Sequence, residues 1–326
     1  MTPRMTESDE KPNEENMPHD TIKPPEPMEK LKIIHHLVIV YIYFHVAGLY
    51  GLYLCFTTAK WLTMGFGVLV YLLGILGITA GAHRLWSHRS YKAKLPLQII
   101  LMLLNSIASQ KTAINWSREH RLHHKCSDTE GDPHNANRGF FYSHLGWLMT
   151  KKSKEVIKQG KCIDLSDLYN NPVLRFQEKY DVPIITTLCF ILPTVIPVYF
   201  WGETWNNAWH LNMLRFVVSL NLTCCVNSVA HMWGYKPYDK TLLPGQNVLL
   251  TTVVLGEGFH NYHHVFPWDY RTSELGNVKL NFTTYFIDFF AWIGWAYDLK
   301  SASKDVIKNR SERTGDGTDL WGRKSD

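Results

Sequence analysis

The chain has 326 residues and a formal net charge of +5. That length allows one or two soluble domains, but the apolar residues concentrate in segments long enough to cross a bilayer. The charge fits contact with anionic lipid head groups or an acidic partner, and it is too small to indicate nucleic-acid binding. Six cysteines show no CxxC pair and no regular framework, which predicts free thiols in a reducing compartment.

The first part of the chain predicts a disordered tail followed by a helical hairpin. Residues 1–28 are rich in Glu, Lys, Asn and Pro, and they have too few large apolar side chains to offset the entropy of ordering. They also show no secretory signal. Two apolar runs follow, at residues 33–56 and 61–82, and each is long enough to span a membrane as a helix. The turn between them is short, and the second run ends directly at His83.

A third apolar stretch, residues 97–109, is short for a span. If it crossed the bilayer, the motif at residues 83–88 would lie on the opposite side from His120, and one site could not use both. We therefore expect this stretch to lie in the interface or to re-enter the membrane without crossing. Residues 84–181 hold sixteen Lys and Arg, about half of the total, which favours the cytosolic side for the histidines.

The second half of the chain predicts another hairpin. Its spans lie at about residues 183–201 and 213–233, and a shorter apolar stretch at residues 285–296 should pack at the membrane surface. The predicted fold is an all-α membrane protein with four transmembrane helices in two hairpins and a cytosolic helical cap. The predicted regions are a tail at residues 1–28, the transmembrane domain with its cap at residues 29–302, and a polar C-terminal tail at residues 303–326.

Nine of the sixteen histidines fall into four clusters. They are His83 and His88 in HRLWSH, His120, His123 and His124 in HRLHH, His231, and His260, His263 and His264 in HNYHH. The i, i+3, i+4 spacing of the two triads places three imidazoles on one face of a helix. The HRLWSH pair lies five residues apart, about 140° around an α-helix, and fits best where a span ends and the backbone changes direction.

This set of histidines predicts a dimetal centre. Imidazole is a good ligand for zinc, copper and iron, and one zinc ion takes three or four protein ligands, so nine are too many for one ion and fit two. Diiron proteins of the ferritin type need carboxylates and two ExxH motifs. The one match here, from Glu257 to His260, overlaps a triad and is interpreted as coincidence. Two irons held mainly by histidine beside a membrane indicate O₂ activation at a C–H bond of a lipid-like substrate.

Two polar residues near the clusters have open interpretations. Asn227 lies one helical turn before His231, so it could reach the metal site directly or through a water, or it could be bonded within the span. His134 in DPHN either holds a turn or donates a hydrogen bond to a residue of the site. The other six histidines outside the clusters are interpreted as ordinary surface or core residues.

The histidine motifs and their surroundings resemble the membrane-bound acyl-CoA desaturases, the stearoyl-CoA desaturase group. The resemblance covers roughly residues 33–320, including ITAGAHRLWSHRSYKAKLPL, GDPHN, RGFFYSHLGW, VNSVAHMWGYKPYD, GEGFHNYHH and NFTTYFIDFFAW. The loop LLPGQN is also similar to the LPxQ pattern of moth pheromone-gland Δ11 desaturases, with Gly245 where Ala is usual. This points to an insect enzyme of Δ9 or Δ11 type and to pheromone biosynthesis.

The resemblance implies an enzyme that introduces a double bond into a fatty acyl-CoA chain with O₂. It implies two Fe ions, a multi-pass position in the endoplasmic reticulum membrane with both termini cytosolic, and electrons from cytochrome b5 and NADH-cytochrome b5 reductase. No HPGG-like haem motif is present, so the electron donor should be a separate protein. The nine clustered histidines carry over as metal ligands, and Asn227 carries over as the residue that holds a metal-bound water.

The family's substrate contacts carry over onto five positions. Lys151 and Lys152 stand where the family has an Arg-Lys pair, and Arg118 matches an Arg. Such cations suit a phosphorylated head group. In the family the second span helps to close the acyl tunnel, so Tyr71 and Ile75 are candidates for setting chain length, or else they are lipid-facing or packing residues.

The chain departs from the family at three positions near the substrate. Lys111 and Glu119 stand where relatives have Asn and Asp, and Cys224 stands where a Trp lines the substrate region. These differences concern head-group contacts and acyl placement rather than the metal chemistry.

Two alternatives to a desaturase remain open at this point. A diiron hydroxylase or a conjugase would keep the same metal site and give a different product. A histidine-rich membrane metal carrier would not be an enzyme, but a carrier should place its ligands within the spans near the bilayer midplane. Here the clusters lie at span ends and in the polar segments.

Overall fold

The computed structural model describes residues 28–274 and 280–324. The chain divides into two units, Met1–Lys30 and Leu31–Asp326. The second unit contains every helix and strand of the described residues. The predicted disordered tail lies outside the described residues except for Met28.

Within the described residues the second unit is mostly helical and has almost no sheet. Its α-helices are α1 (His35–Cys55), α2 (Trp61–Leu76), α3 (Leu95–Ala108), α4 (Ala113–Cys126), α5 (Phe140–His144), α6 (Lys154–Gly160), α7 (Ser166–Tyr169), α8 (Pro172–Lys179), α9 (Asp181–Ile185), α10 (Leu192–Trp201), α11 (Trp205–Met232), α12 (Val248–Val253), α13 (His260–Val265), α14 (Phe282–Trp292) and α15 (Lys304–Thr314). π-Helical segments at Gly77–Ser87 and Thr186–Ile191 continue α2 and join α9 to α10, and 3₁₀ turns lie at Ala136–Arg138 and Gly146–Met149. Two short antiparallel strands, β1 (Lys92–Ala93) and β2 (Ala296–Tyr297), form the sheet.

Four helices of the described residues have the length and mean hydropathy of membrane spans, which confirms the predicted number. They are His35–Cys55, Trp61–Ser87, Asp181–Trp201 and Trp205–Met232. The last has 28 residues, or about 42 Å at 1.5 Å per residue, whereas a hydrocarbon core is about 30 Å thick. A helix of this length extends beyond the bilayer, and His231 lies in the final turn of α11.

Two predicted boundaries were wrong. The second span does not end at residue 82, because helical backbone continues through the π segment to Ser87. The fourth span begins at Trp205 rather than near residue 213, because Thr204 caps the helix by accepting from the N–H of Asn207 at 3.1 Å. The connector between the third and fourth spans is therefore only three residues long.

The two hairpin turns are bound to each other away from the histidines. Glu203, in the second turn, accepts from the backbone N–H of Lys60 at 2.9 Å and from the hydroxyl of Thr63 at 2.6 Å. The ammonium of Lys60 donates to the carbonyls of Trp201 and Gly202, each at 2.7 Å. These contacts fix the two hairpins at the end opposite the metal site.

Close helix packing depends on two glycines. A Cβ added at Gly51 of α1 would lie 2.1 Å from the carbonyl oxygen of His210 on α11. A Cβ added at Gly77 would lie 2.1 Å from the backbone nitrogen of Asn105 on α3. Both helix pairs approach too closely for any larger residue, so the π segment and α3 are held in direct backbone contact.

The stretch predicted to re-enter the membrane forms α3, which meets α4 at a bend of 82°. Thr112 caps α4 with its side chain, and Gln177 of α8 accepts from the N–H of Ala113 at 2.9 Å and donates to Asn105 at 2.8 Å. The bend is thus fixed by a buried hydrogen-bond network. A sharply bent pair is the geometry expected for a segment that returns to the side from which it entered.

The part of the chain predicted as a polar C-terminal tail contains the helix α15. It is attached to the segment after α11, because the hydroxyls of Ser311 and Thr314 donate to the carbonyls of Pro237 at 2.7 Å and Tyr238 at 2.6 Å. The shorter apolar stretch predicted at residues 285–296 corresponds to α14 and β2, which pack into the main buried core.

Candidate metal centre

The five-residue spacing of His83 and His88 is explained by π-helical backbone. The N–H of His88 donates to the carbonyl of His83 at 3.1 Å, an i→i+5 hydrogen bond. One π turn therefore separates the two residues, and both imidazoles lie on the same face. The change of backbone direction comes after them, at Arg89, whose φ is +51°.

The two triads lie on helices, as their spacing predicts. His120, His123 and His124 belong to α4, and His260, His263 and His264 belong to α13. The last cluster residue, His231, lies in the final turn of α11. Four separate elements thus point imidazoles toward one region.

Their ligand atoms form two groups, each with all ligand atoms within 4.8 Å of one another. The five-histidine group consists of His83, His88, His120, His124 and His263. The four-histidine group consists of His123, His231, His260 and His264. All nine predicted histidines are therefore brought together. A third, smaller group of possible ligands, His123, Asp132 and His134, shares His123 with the four-histidine group.

The spacing of the nitrogens fits bound metal ions. The Nε2 atoms of His83 and His263 lie 3.0 Å apart, and those of His88 and His120 lie 2.8 Å apart. In the other group, His260 Nε2 lies 3.0 Å from that of His231 and 3.1 Å from that of His264. Two nitrogens at right angles around an ion, each about 2.1 Å from it, would lie about 3.0 Å apart. Nε2 of His123 is buried without any other partner, as an empty ligand position would be.

The protonation of six of the nine histidines also suits metal ligands; burial acts the same way on His123, but the neighbouring Asp132 raises the pKa of that ring. Burial, followed by repulsion from neighbouring imidazoles, lowers the pKa of His88, His120, His124, His260, His263 and His264 well below the usual range. These side chains are therefore neutral at physiological pH, and neutral imidazole is the form that binds metal.

Three carboxylates face the far sides of ligand rings. Nδ1 of His83 lies 2.9 Å from Glu257, Nδ1 of His123 lies 2.9 Å from Asp132, and Nδ1 of His231 lies 3.0 Å from Asp128. The contacts of Asp132 and Asp128 have hydrogen-bond geometry, and such partners orient metal-binding rings and increase their basicity, whereas Nδ1 of His83 lies near Glu257 without a hydrogen bond to it. Glu257 is in neither histidine group, so its ExxH spacing with His260 does not make it a ligand in this arrangement.

Sequence reasoning missed these three carboxylates. GDPHN contained Asp132, and the prediction of a supporting role went instead to His134. His134 donates its backbone N–H to Asp132 at 2.9 Å, but its Nδ1 lies 3.7 Å away from that carboxylate. The backbone hydrogen bond fits the alternative in which His134 holds a turn, and Asp132 in the same motif was not considered as a partner of a ligand ring.

Two cavities meet at the histidines. The first is lined by Tyr41, Ser109, Gln110, Lys111, Trp116, Glu119, His120, His134, Trp147, Leu148, Phe216, Leu220, Thr223, Cys224 and Asn227. The second is lined by Ile75, Ile78, Thr79, His83, Trp116, His120, His123, Thr223, Val226, Asn227, Val254, Glu257 and His260. Both cavities are lined by Trp116, His120, Thr223 and Asn227. They therefore form a path past the two histidine groups, from the first or outer cavity at Lys111 to the second or inner cavity at Ile75. Asn227, predicted near the metals, lies at this junction.

The candidate substrate residues divide between two regions. Ile75 is 1% exposed and lines the inner cavity. Tyr71 does not line it; its hydroxyl donates to the carbonyl of Val253, and its side chain lines a separate groove between α2 and α11. The ammonium of Lys152 lies 2.5 Å from Glu119, which lines the outer cavity.

Two predicted head-group contacts have side chains without a polar partner among the described residues. Lys151 is exposed, and its backbone N–H donates to Lys32 at 2.8 Å. Arg118 is half-buried on α4, and a guanidinium nitrogen lies near Gly160. The ammonium of Lys151 and the guanidinium of Arg118 are therefore available to bind an anionic ligand.

The comparisons with known proteins agree with this site. The Fatty acid desaturase family model matches residues 59–283. The chain is 64% identical to the acyl-CoA Δ(11) desaturase of Spodoptera littoralis over 293 residues, 90% of this chain and 87% of that protein. It is 64% identical to the acyl-CoA Δ(11) desaturase of Trichoplusia ni over 295 residues, 90% of this chain and 84% of that protein. It is 61% identical to the (11Z)-hexadec-11-enoyl-CoA conjugase of Bombyx mori over 289 residues, 89% of this chain and 88% of that protein. The chain therefore belongs to the fatty acid desaturase family, and it is a membrane oxidoreductase of that family.

Proposed function

We propose that this protein is an acyl-CoA desaturase that introduces a double bond at carbon 11 and that the nine histidines and Asn227 hold two iron ions. The observation that carries the proposal is the convergence of nine imidazoles into two groups beside two cavities that share four lining residues. The comparisons support the acyl-CoA substrate through the names of the relatives.

The donor set fits iron. All nine ligands are imidazoles, which suit iron, copper or zinc, and structural zinc needs no more than four. When bound there, two irons would supply the activation of O₂ that removes hydrogen from an unactivated C–H bond. The overall reaction takes two hydrogens from adjacent carbons, and with two electrons and two protons it reduces O₂ to two waters.

The protein's own residues position the acyl chain and exclude water from the metal site. Trp116 stacks on His120 with ring centroids 4.8 Å apart, and both line the path that the acyl chain would follow. The inner cavity is mainly apolar, with Ile75 and Val254 in its wall. Asn227 lines both cavities, and by the resemblance it would hold a water at the metal site. These residues fix which carbons lie beside the metals and exclude bulk water from them.

The head group of acyl-CoA would bind outside the outer cavity. Arg118 and Lys151 provide cations without described partners, and Lys152 can exchange its contact with Glu119 for a phosphate oxygen. We place this face in the cytosol and the protein in the endoplasmic reticulum membrane, with both termini cytosolic. Electrons would arrive from cytochrome b5 and its NADH-dependent reductase.

The position of the double bond rests on the Δ11 relatives and on the LLPGQN loop. In the structure Gln246 of this loop accepts from the backbone N–H of Asn261 at 3.1 Å, inside the HNYHH motif. The loop thus supports α13 and does not line either cavity. A conjugase is the second candidate, because the Bombyx mori relative at 61% identity has that name.

Expression in yeast that lacks its own acyl-CoA desaturase tests the function. Mass spectrometry of dimethyl disulfide adducts locates each new double bond, and we expect a monoene at carbon 11. The His120→Ala variant should give no product, and the matched control His36→Ala, an exposed histidine at the start of α1, should retain activity. A conjugated diene from added (11Z)-hexadecenoic acid would favour the conjugase, and a hydroxylated product would contradict desaturation.

A further inference from the structure

The carboxylates that face the ligand rings differ between the two histidine groups in whether a nearby arginine balances their negative charge. In the five-histidine group, the carboxylate of Glu257 faces His83, the only ligand ring of that group with such a partner in the described residues. Arg84 donates to the other oxygen of Glu257, from Nε at 3.0 Å and from Nη2 at 2.8 Å. Arg84 is 0% exposed, so its positive charge lies beside this carboxylate without solvent to screen it. The negative charge of Glu257 is therefore matched locally.

The four-histidine group has two carboxylates, and neither is matched in this way. Asp132 faces His123, and Asp128 faces His231. Asp132 also accepts two backbone N–H groups, that of Asp128 at 2.8 Å and that of His134 at 2.9 Å. Within residues 28–274 and 280–324, no Lys or Arg forms an ion pair with either carboxylate. Two uncompensated negative charges thus lie behind this group.

We propose that this difference makes the two metal positions unequal: the four-histidine position stabilises the more oxidised ion, and Arg84 is the positioning residue that maintains the inequality. The inference rests on the proposed function, because it requires two redox-active ions. A carboxylate bound to the far nitrogen of a ligand ring passes negative charge toward the metal. When an arginine pairs with that carboxylate, part of the effect is lost, because the positive charge offsets part of the carboxylate's field at the ion.

The number of ligands does not reverse this argument. Imidazole is neutral, so five ligands instead of four change the strength of binding without changing the total charge around the ion. The charge difference between the two positions comes from the three carboxylates and Arg84. When one electron is removed from a fully reduced pair, it should therefore come from the four-histidine position.

The test uses the purified full-length protein loaded with ⁵⁷Fe. Reduced protein is treated anaerobically with one equivalent of ferricyanide, and Mössbauer spectroscopy measures the ferric fraction at each position. We expect the ferric ion to favour the four-histidine position by about tenfold or more, the scale on which such outer carboxylates act. The Mössbauer signals that change in Asp128→Asn belong to the four-histidine position, and those that change in Glu257→Gln belong to the five-histidine position. Asp128→Asn should also reduce the ferric preference about tenfold.

Variants of Arg84 test its role directly. Arg84→Gln leaves Glu257 uncompensated and should move ferric population toward the five-histidine position, whereas Arg84→Lys should keep the wild-type distribution. Arg89→Gln is the matched control, because it also follows a ligand histidine but pairs with Asp167 at 2.7 Å, away from the metals. If Arg84→Gln fails to fold, Asp128→Asn still decides the question.

The outcomes separate this inference from the proposed metal centre. Two irons per chain with equal ferric fractions in the wild type, or with a distribution that Asp128→Asn leaves unchanged, would overturn the inequality alone. Fewer than two metal ions per chain would overturn the dimetal centre as well.

Discussion

Nζ of Lys111 lies 2.5 Å from Oε2 of Glu119 at the outer cavity, and Nζ of Lys152 lies 2.5 Å from the other oxygen of the same carboxylate. Lys111 also lies 4.6 Å from the ring centroid of Trp147. Glu119 thus joins the α3–α4 turn, α4 and the segment before α6. Three charged side chains thus meet at the outer cavity, where we propose that the head group binds.

Acid should weaken the fold through Glu119. Burial opposes its ionisation, but Lys111 and Lys152 overcome this effect and lower its pKa to about 2, from 4.5. Because the folded-state pKa is the lower one, Glu119 contributes stability that is complete above about pH 4.5 and is lost as the pH falls toward 2. Thermal unfolding of Glu119→Gln in detergent, compared with wild type, should show a difference that is largest near neutral pH and shrinks below pH 4.5.

The matched control for Glu119 is Glu312→Gln on α15, whose side chain is 65% exposed and lies 3.8 Å from Lys308. Exposed ion pairs contribute little to stability, so this variant should unfold like wild type at every pH. If Glu119→Gln and wild type lost stability in parallel down to pH 3, the ionised carboxylate would not be stabilising the fold.

The phase of the π-helix should determine metal binding. Inserting one alanine after Leu85 would separate His83 and His88 by six residues and turn His88 away by about 100° if the added residue is helical. We expect the metal content per chain to fall, because the five-histidine group would lose a ligand. Metal analysis after gel filtration measures this, with an alanine inserted after Lys161, in the turn that follows α6, as the control. Full metal content in the first insertion would show that the π turn is not needed.

Sequence reasoning identified the elements whose signals are local. The triads in HRLHH and HNYHH follow α-helical spacing, and the four spans are marked by apolar runs, so both were predicted. The π-helix at His83 was not predicted; its segment begins where Gly77 packs against the backbone of Asn105 on α3, a contact between distant residues that a local pattern does not show. The roles of Asp128 and Glu257 were missed for the same reason, since each lies far in sequence from the histidine it faces.

Tyr71 shows a further limit of sequence reasoning. It lies four residues from Ile75 on α2, and by the resemblance both were candidates for the acyl tunnel, with lipid-facing or packing roles as the alternative. In the structure Ile75 faces the inner cavity and Tyr71 bonds to Val253 outside it. Helical periodicity places both residues on one side of α2. The inner cavity reaches Ile75 but not Tyr71, which contacts α12 instead, and the sequence pattern does not show where α12 packs.

Replacing Ile75 should change the preferred chain length. Ile75→Ala removes a side chain from the wall of the inner cavity, so we expect longer acyl chains to be accepted at the expense of short ones. A core truncation of this kind also costs about 2–5 kcal/mol of stability. Leu69→Ala, on the same helix with a side chain that is 51% exposed, is the control and should leave the products unchanged. Fatty-acid profiles from yeast fed chains of different length would measure both, and an unaltered profile for Ile75→Ala would exclude its role.

Arg118 should act on the head group and not on the chemistry. It has no polar partner among the described residues, so a phosphate would be its first strong contact. A hydrogen bond to a charged group contributes about 1.5–3 kcal/mol, and we expect Arg118→Gln to raise KM for acyl-CoA about tenfold or more with a smaller change in kcat. Lys158→Gln on α6, where the lysine is paired with Glu155, is the matched surface control. An acyl-pantetheine substrate lacks the nucleotide phosphates, so the variant and wild type should convert it equally well. An equal loss on both substrates would mean that Arg118 stabilises α4 and does not bind the head group.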